Sequence, residues 1–254
     1  MSERFYVPDL PLSGYAELPP EEAHHALEVM RMKPGEELIL FDGCNREAVA
    51  ILPLNDERLP QGGQKGQKKS KVKPGKNAGL TVEIRSCGIV NRESGCKLTI
   101  AVALPKGDRQ KWLVEKCTEL GVHQILPLDV ERSVAKPQPQ VVERLQRQVI
   151  EASKQCRRNF LMEITEPYGW SDFLEYSRTL INTQRWIAHP GGEPISALSQ
   201  SSAAEILVAI GPEGGFSDSE VVAAMDAGFL SLSLGERILR IETAAVAVAA
   251  LAIR

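Results

Sequence analysis

The stretch Ile206-Leu-Val-Ala-Ile-Gly-Pro-Glu-Gly-Gly-Phe-Ser217 limits the fold more than any other part of the chain. A fully apolar strand enters a loop with glycines at 211, 214 and 215, and the loop opens into a helix. Ser217 and Glu220 have the spacing of a capping box for that helix. Exposed amides and glycines without side chains let a ligand approach the backbone closely. The loop is no phosphate loop, because Gly-Lys-Ser/Thr is absent, and its glycine spacing is not that of a dinucleotide fingerprint. Taken alone, it is equally a tight turn that needs glycine. Further on, a second apolar strand enters a second turn at Leu232-Ser-Leu-Gly-Glu-Arg-Ile-Leu-Arg-Ile-Glu-Thr-Ala244, so two loops can frame one pocket. The Ala/Val helix that follows is apolar almost all round and must be buried. A subunit interface is the favoured place for it, with a domain core as the alternative.

From residue 97 the chain alternates strands with helices, the pattern of a mostly parallel sheet covered on its faces. Strand Leu98–Leu104 precedes helix Asp108–Leu120, which stops at Gly121 before strand Gln124–Leu128. A helix over Gln140–Arg157, a strand at Leu161–Ile164 and a helical segment at Ser171–Tyr176 follow. Strands are then predicted at Thr179–Ile181, Trp186–His189, Ile206–Ile210 and Leu230–Leu234, and a helix from Glu242 onward. Residues 1–96 show short β-like runs at Arg4–Val7, Glu37–Phe41, Ala48–Leu52 and Leu80–Cys87, as in a small barrel or sandwich. One helix is expected at Pro20–Met32. Two domains, 1–96 and 97–254, are therefore expected.

The net charge of −3 and pI near 5.9 hide a segregation of charge. Residues 60–79 hold six lysines and no acid, leaving 24 basic against 33 acidic residues elsewhere, a balance of −9. With almost nothing apolar to bury, this stretch is expected to be a disordered insertion in a hairpin. It serves either as an RNA-contacting arm or as a solvated loop. The five cysteines are scattered, with no Cys-x-x-Cys pair, which argues against a zinc site or disulfide framework and for a reduced, cytoplasmic setting. No signal peptide or membrane span is expected. His24 and His25 are adjacent and cannot share one metal from a helix, so no metal is expected. The dispersed aromatics, Trp112 among them, read as core rather than as a base-stacking platform.

At Gly211-Pro-Glu-Gly-Gly-Phe-Ser217 and Leu234-Gly-Glu-Arg-Ile-Leu-Arg-Ile-Glu-Thr-Ala244 the chain resembles the RsmE family of the SPOUT superfamily. The resemblance extends to Lys106-Gly-Asp-Arg-Gln-Lys111, Lys116–Val122, Glu151–Arg157, Arg4-Phe-Tyr6 and His24-His25, and so covers nearly the whole sequence. It implies an N-terminal PUA-like β-barrel, a C-terminal trefoil-knotted α/β methyltransferase domain and a homodimer. The implied activity is S-adenosylmethionine-dependent methylation of N3 of one uridine in 16S rRNA, with the assembled small subunit as partner. The insertion at 60–79 departs from the compact family pattern.

By position, the resemblance puts the methyl-donor pocket on His189, Ile210, Gly211, Glu213, Gly214, Gly215, Leu234, Gly235, Ile238, Leu239, Arg240 and Thr243. RNA contacts are expected from Arg4, Arg31, Lys106, Lys116, Glu151, Gln155 and Arg158. Glu151, Gln155 and Arg158 recur at about one-turn spacing and would share a polar helix face. Methylating N3 requires loss of the imide proton or stabilisation of the anion. Arg240 and Arg4 are candidates for holding a developing negative oxygen. Glu242 and Glu151 are candidate proton acceptors if burial raises their pKa; the alternative for Glu242 is the helix-starting acid that the dipole favours. Two other readings stand beside this one. One is a sibling SPOUT activity on a ribose 2′-hydroxyl or a tRNA base; the other is a non-catalytic RNA-binding or ribosome-assembly protein.

Overall fold

The computed structural model describes residues 3–54, 79–134, 136 and 139–253. The expected insertion at 60–79 lies outside the described residues except for Gly79. The chain divides into two compact units, Met1–Arg92 with Arg157–Phe160, and Glu93–Cys156 with Leu161–Arg254. The boundary thus falls slightly before the expected one, and a short segment from the second half of the sequence belongs to the first unit.

In the N-terminal unit, β1 (Arg4–Tyr6), β2 (Gly14–Leu18), α1 (Pro20–His24), β3 (Glu37–Phe41), β4 (Arg46–Ile51) and β5 (Leu80–Ile89) follow in turn. The sheet runs β1-β3-β4-β5-β2; β1 and β3 are parallel and the other pairs antiparallel. Period-two alternation sends Phe5, Ala16, Leu18, Leu38, Leu40, Ala48, Ala50, Leu80 and Val82 into one core. Pro20 at the start of α1 and Glu21 and Glu22 in its first turn suit a helix N-terminus. The helix does not reach Met32 as expected: His25–Val29 form a π-turn, and Arg31, at φ 54°, turns the chain out. This wider turn still lets Ala26 and Met32 pack into the core.

The C-terminal unit contains β6 (Lys97–Ala103), α2 (Asp108–Glu119), β7 (Gln124–Asp129), α3 (Pro139–Cys156), β8 (Glu163–Ile164), β9 (Tyr168–Gly169), α4 (Trp170–Thr179) and β10 (Thr183–Pro194). It ends with α5 (Ser196–Gln200), β11 (Glu205–Ile210), α6 (Asp218–Asp226), β12 (Leu230–Ser233) and α7 (Ile241–Ala252). Its strands run β12-β10-β11-β6-β7-β8, with β9 also on β7, and every pair is parallel.

Alternation along the strands builds a core on each face. Leu98, Ile100, Val102, Ile125, Ile206, Val208 and Ile210 meet α2, α3, α5 and α7. Ala101, Ala103, Leu126, Leu128, Leu207 and Ala209 face the other way. The small residues there make room for Phe173, Phe216 and Phe229, with Trp170 packed against them. Each such buried ring contributes roughly 1.5–3 kcal/mol.

Three expectations are corrected. Thr179–Ile181 is no strand: Thr179 closes α4, and Arg185 donates hydrogen bonds to the Ser177 and Leu180 carbonyls of that turn. The strand expected at Trp186–His189 runs from Thr183 to Pro194. Trp112, expected in the core, is 43% exposed on α2. The apolar α7 buries Ile241, Ala244, Ala245, Val248, Ala249 and Ala252 in its own domain core, the reading that stood as the alternative.

Candidate active site

A parallel sheet carries all the carboxyl ends of its strands on one edge, and loops leaving neighbouring strands share that edge. Here β12, β10 and β11 are neighbours. Three segments therefore gather: a bulge inside β10 at 189–192, the 211–217 loop and the 234–240 loop. The bulge appears as a register jump in which Ala188 and Glu193 both face Leu232. Gly192 is obligatory there, because a Cβ would sit 2.4 Å from the backbone carbon of Ser231. Gly211 is nearly as restricted, since a Cβ would meet the Phe216 ring at 3.1 Å. That closeness lets Phe216 fold back onto Trp170, with ring centres 4.9 Å apart. Gly215 (φ +68°) and Gly235 (φ +104°) face open space in left-handed conformations. The edge thus offers bare backbone at Gly215 and Gly235.

The 211–217 loop is held on two sides. The capping box is formed: the Glu220 N–H donates to Ser217 Oγ, and Glu220 Oε2 accepts from the Ser217 N–H at 2.8 Å. The other oxygen of this buried carboxylate accepts from the Glu131 N–H, also at 2.8 Å. Arg132 donates to the Gly214 carbonyl at 2.8 Å and to that of Phe216 at 3.3 Å. Glu131 and Arg132 follow β7, far away in sequence, and no local pattern marked them.

A group of charges lies beside the loop. Arg109 Nη1 is 2.8 Å from Glu213 Oε1 and 3.8 Å from Glu242 Oε2. The Glu213 carboxyl is held below its ordinary range, first by its own backbone N–H, against the opposing effect of burial, and then by Arg109 and the field of Arg240. Glu242 is 6% exposed, and its Oε2 is buried without a hydrogen-bond donor. A cavity of about 270 Å³ opens next to these groups, lined by Leu104–Lys106, Arg109, Val134, Pro212, Glu213 and Ile241.

The expected donor-pocket residues lie on this edge. Ile210 ends β11, His189 starts the bulge, and Leu234 and Leu239 are half-buried against the core. Ile238 is 90% exposed, Arg240 is the N-cap of α7, and Thr243 is exposed in its first turn.

The expected RNA-contacting residues do not gather in one place. Lys106 and Arg31 are exposed. Lys116 is occupied by Glu115 at 3.0 Å and Glu119 at 2.7 Å, and Glu151 by Lys154 at 2.8 Å. Gln155 is exposed on α3, but Arg158 lies beyond the end of that helix, is buried and stacks over Phe160, so the expected shared face is not formed. The Arg4 side chain is 8% exposed, bound to Glu47 at 2.7 Å and to Asn159 Oδ1, and is no free anion holder.

Comparison with known proteins matches residues 92–253 to an RNA methyltransferase domain family and residues 18–52 to an RNA methyltransferase PUA domain family. A curated relative from Synechocystis sp., the ribosomal RNA small subunit methyltransferase E, is 31% identical, covering 96% of this chain and 75% of its own. The chain belongs to the RsmE family. Its fold is the SPOUT-type α/β fold with a PUA-like N-terminal unit. Ribosomal RNA small subunit methyltransferase E of Neisseria gonorrhoeae, bound to S-adenosyl methionine, superposes with a TM-score of 0.82 at 28% identity, over 98% of this chain and 96% of that one. A methyltransferase of Legionella pneumophila in complex with SAM gives 0.80 at 32% identity, with the same coverage. The loop edge in this RsmE-family chain is therefore built within a fold that carries that cofactor in two relatives.

Proposed function

We propose that this chain transfers the methyl group of S-adenosylmethionine to N3 of a uridine in 16S rRNA of the small ribosomal subunit. The supporting observation is the edge where the 189–192, 211–217 and 234–240 segments meet with bare backbone at Gly215 and Gly235. The residues present fit the donor. His189, Ile210, Gly211, Glu213, Gly214, Gly215, Leu234, Gly235, Ile238, Leu239, Arg240 and Thr243 would hold it. When bound, it supplies an electrophilic methyl already activated by its sulfonium, so the protein's share is alignment and exclusion of water.

Glu242 would accept the N3 proton on Oε2, the buried oxygen without a donor, and so free the nitrogen lone pair for the methyl that the bound donor would supply. Arg240, exposed at the N-cap of α7, holds the uracil oxygen on which negative charge develops. Arg109, beside both acids, keeps Glu242 oriented. After β12 the chain returns as α7 to pack on α2, β6 and β11, and we read this return as the trefoil knot that the family resemblance implies. We further read the enzyme as a cytoplasmic homodimer acting on the assembled subunit. Val246 and Ala247, half-buried on α7, and the exposed Ala250 leave a face of that helix open to a second copy. Among the described residues no helix is long and apolar enough to cross a membrane.

The test is mass spectrometry of nucleosides from undermodified small subunits incubated with the protein and isotopically labelled S-adenosylmethionine. Labelled 3-methyluridine is expected. Label on a ribose or another base would move the chain to a sibling activity, and no label would count against the reaction.

A further inference from the structure

The cavity beside the loop edge differs from the donor cradle in its chemistry. Its walls are apolar: Pro105 and Pro212 are buried, flat-sided rings, joined by Val134 and Ile241. Its charged lining residues are Lys106, Arg109 and Glu213. Arg109 is neutralised by Glu213, whereas Lys106 has no ion pair among the described residues and is exposed. Apolar walls with one unspent cation suit a flat ring carrying a single anion. A base taken out of its stack and held between apolar side chains, with its own phosphate, has that chemistry.

The size agrees. About 270 Å³ exceeds the few tens of Å³ a water needs, and is small for a dinucleotide or a stretch of duplex. The location agrees as well, because Pro212 and Glu213 belong both to the cavity and to the glycine loop. A ring seated here lies against the segment that would carry the methyl donor, and Arg109, in the wall, reaches Glu242 at 3.8 Å. The floor is rigid, since Pro105 fixes the end of β6 and Gly107 (φ +64°) turns the chain into α2.

We infer that this cavity is the seat of the target nucleotide, with the pyrimidine ring between Pro105, Pro212, Val134 and Ile241 and its 5′-phosphate on Lys106. The inference rests on the proposed function, which names no acceptor pocket. The occupant is one pyrimidine nucleotide, and the rest of the RNA lies outside the cavity.

The experiment compares wild type with Val134→Trp, which fills the cavity from an exposed position, and with Lys106→Ala and Lys106→Arg. Donor affinity is measured by calorimetry and methylation by steady-state kinetics, and thermal melting confirms folding. Val134→Trp is expected to lower kcat/KM by about 100-fold while donor Kd stays within about twofold. Lys106→Ala is expected to raise KM for the RNA about tenfold at unchanged kcat, and Lys106→Arg to restore it. Full activity in Val134→Trp overturns the inference. So does loss of donor binding in that variant, which would assign the cavity to the donor. Should wild type form no methyluridine, the proposed reaction fails but the seat is still tested: uridine 5′-monophosphate added to the protein with S-adenosylhomocysteine should shift the Val134 methyl resonances. Unshifted Val134 resonances would overturn the seat.

Discussion

At the scale of single residues, Arg4 ties together three groups of the N-terminal unit. Its guanidinium binds Glu47 at 2.7 Å and Asn159 Oδ1, and it stacks 5.1 Å from the centre of the Phe41 ring. Arg92 holds the same Glu47 oxygen at 2.9 Å. Asn159 also donates to the Val90 carbonyl, and its own carbonyl accepts from the Asn45 N–H. The returning segment is thus fastened to the first unit by charge-assisted and backbone bonds. Arg4→Met should cost about 2 kcal/mol, the worth of a hydrogen bond to a charged group, since Arg92 remains with Glu47. Denaturant unfolding would measure it, and donor affinity should not change. Burial pushes the Glu47 carboxyl up, but the hydrogen bonds from Arg92 and Arg4 and their charges prevail, leaving it below its ordinary 4.5. A carboxyl lowered on folding stabilises above its unfolded pKa and loses that stabilisation as pH falls through the folded value. Glu47→Gln should therefore be less stable than wild type at pH 7, and the two melting curves should converge as pH drops below 4.5. A gap that stays constant down to pH 3 would contradict this account.

At the scale of elements, the bulge in β10 and the cap of α6 shape the loop edge. Gly192→Ala forces a Cβ to 2.4 Å from the Ser231 backbone, so β10 and β12 must separate locally. Donor affinity should fall about tenfold or more, because a displacement near 1 Å is enough to spoil an aligned site. Ser217→Ala removes the hydroxyl that accepts from the Glu220 N–H and should cost about 1 kcal/mol. The two predictions mirror what could be read from the sequence. Ser217 and Glu220 were legible because a cap is a local pattern. The strands β6, β7 and β11 were legible because each is a mostly apolar run that starts from a polar residue. Strand β10 was legible only in its apolar middle, since Gly191 and Gly192 resemble a loop while they carry the strand through a bulge. Strand β2 escaped because only Ala16 and Leu18 of its five residues are buried. Short Gly14–Leu18 is an edge strand with little apolar signal. Thr179–Ile181 misled because its branched side chains favour strands, while the actual turn is set by Arg185 from the next element. The cavity lined by Lys106, Val134, Pro212 and Ile241 was illegible, since its walls come from four distant segments that only the sheet order brings together.

At the scale of the whole molecule, an acidic protein must approach a polyanion. Apart from residues 60–79 the balance is −9, and long-range repulsion from phosphate follows unless positive charge is concentrated where RNA arrives. Arg4, Arg158 and Lys116, three of the expected contacts, are already engaged within the protein. Lys106 has no ion pair among the described residues, but one cation does not offset such a field. The six lysines of 60–79 are the chain's densest positive charge, and they are placed by sequence between β4 and β5. Lysines that displace counterions from single-stranded RNA each contribute about 0.7 to the slope of log affinity against log salt, so the six together contribute at most about 4. Deleting 60–79 should flatten that slope by up to this amount and weaken RNA binding most at low salt. Donor affinity should be unchanged, because the proposed cradle lies wholly on β10, the end of β11, the loops that follow β11 and β12, and the start of α7. Competition titrations at several salt concentrations would measure the slope. An unchanged slope would make the segment a solvated loop and would shift the burden of attraction to Arg31, Lys106 and the other exposed cations, each then testable by the same measurement.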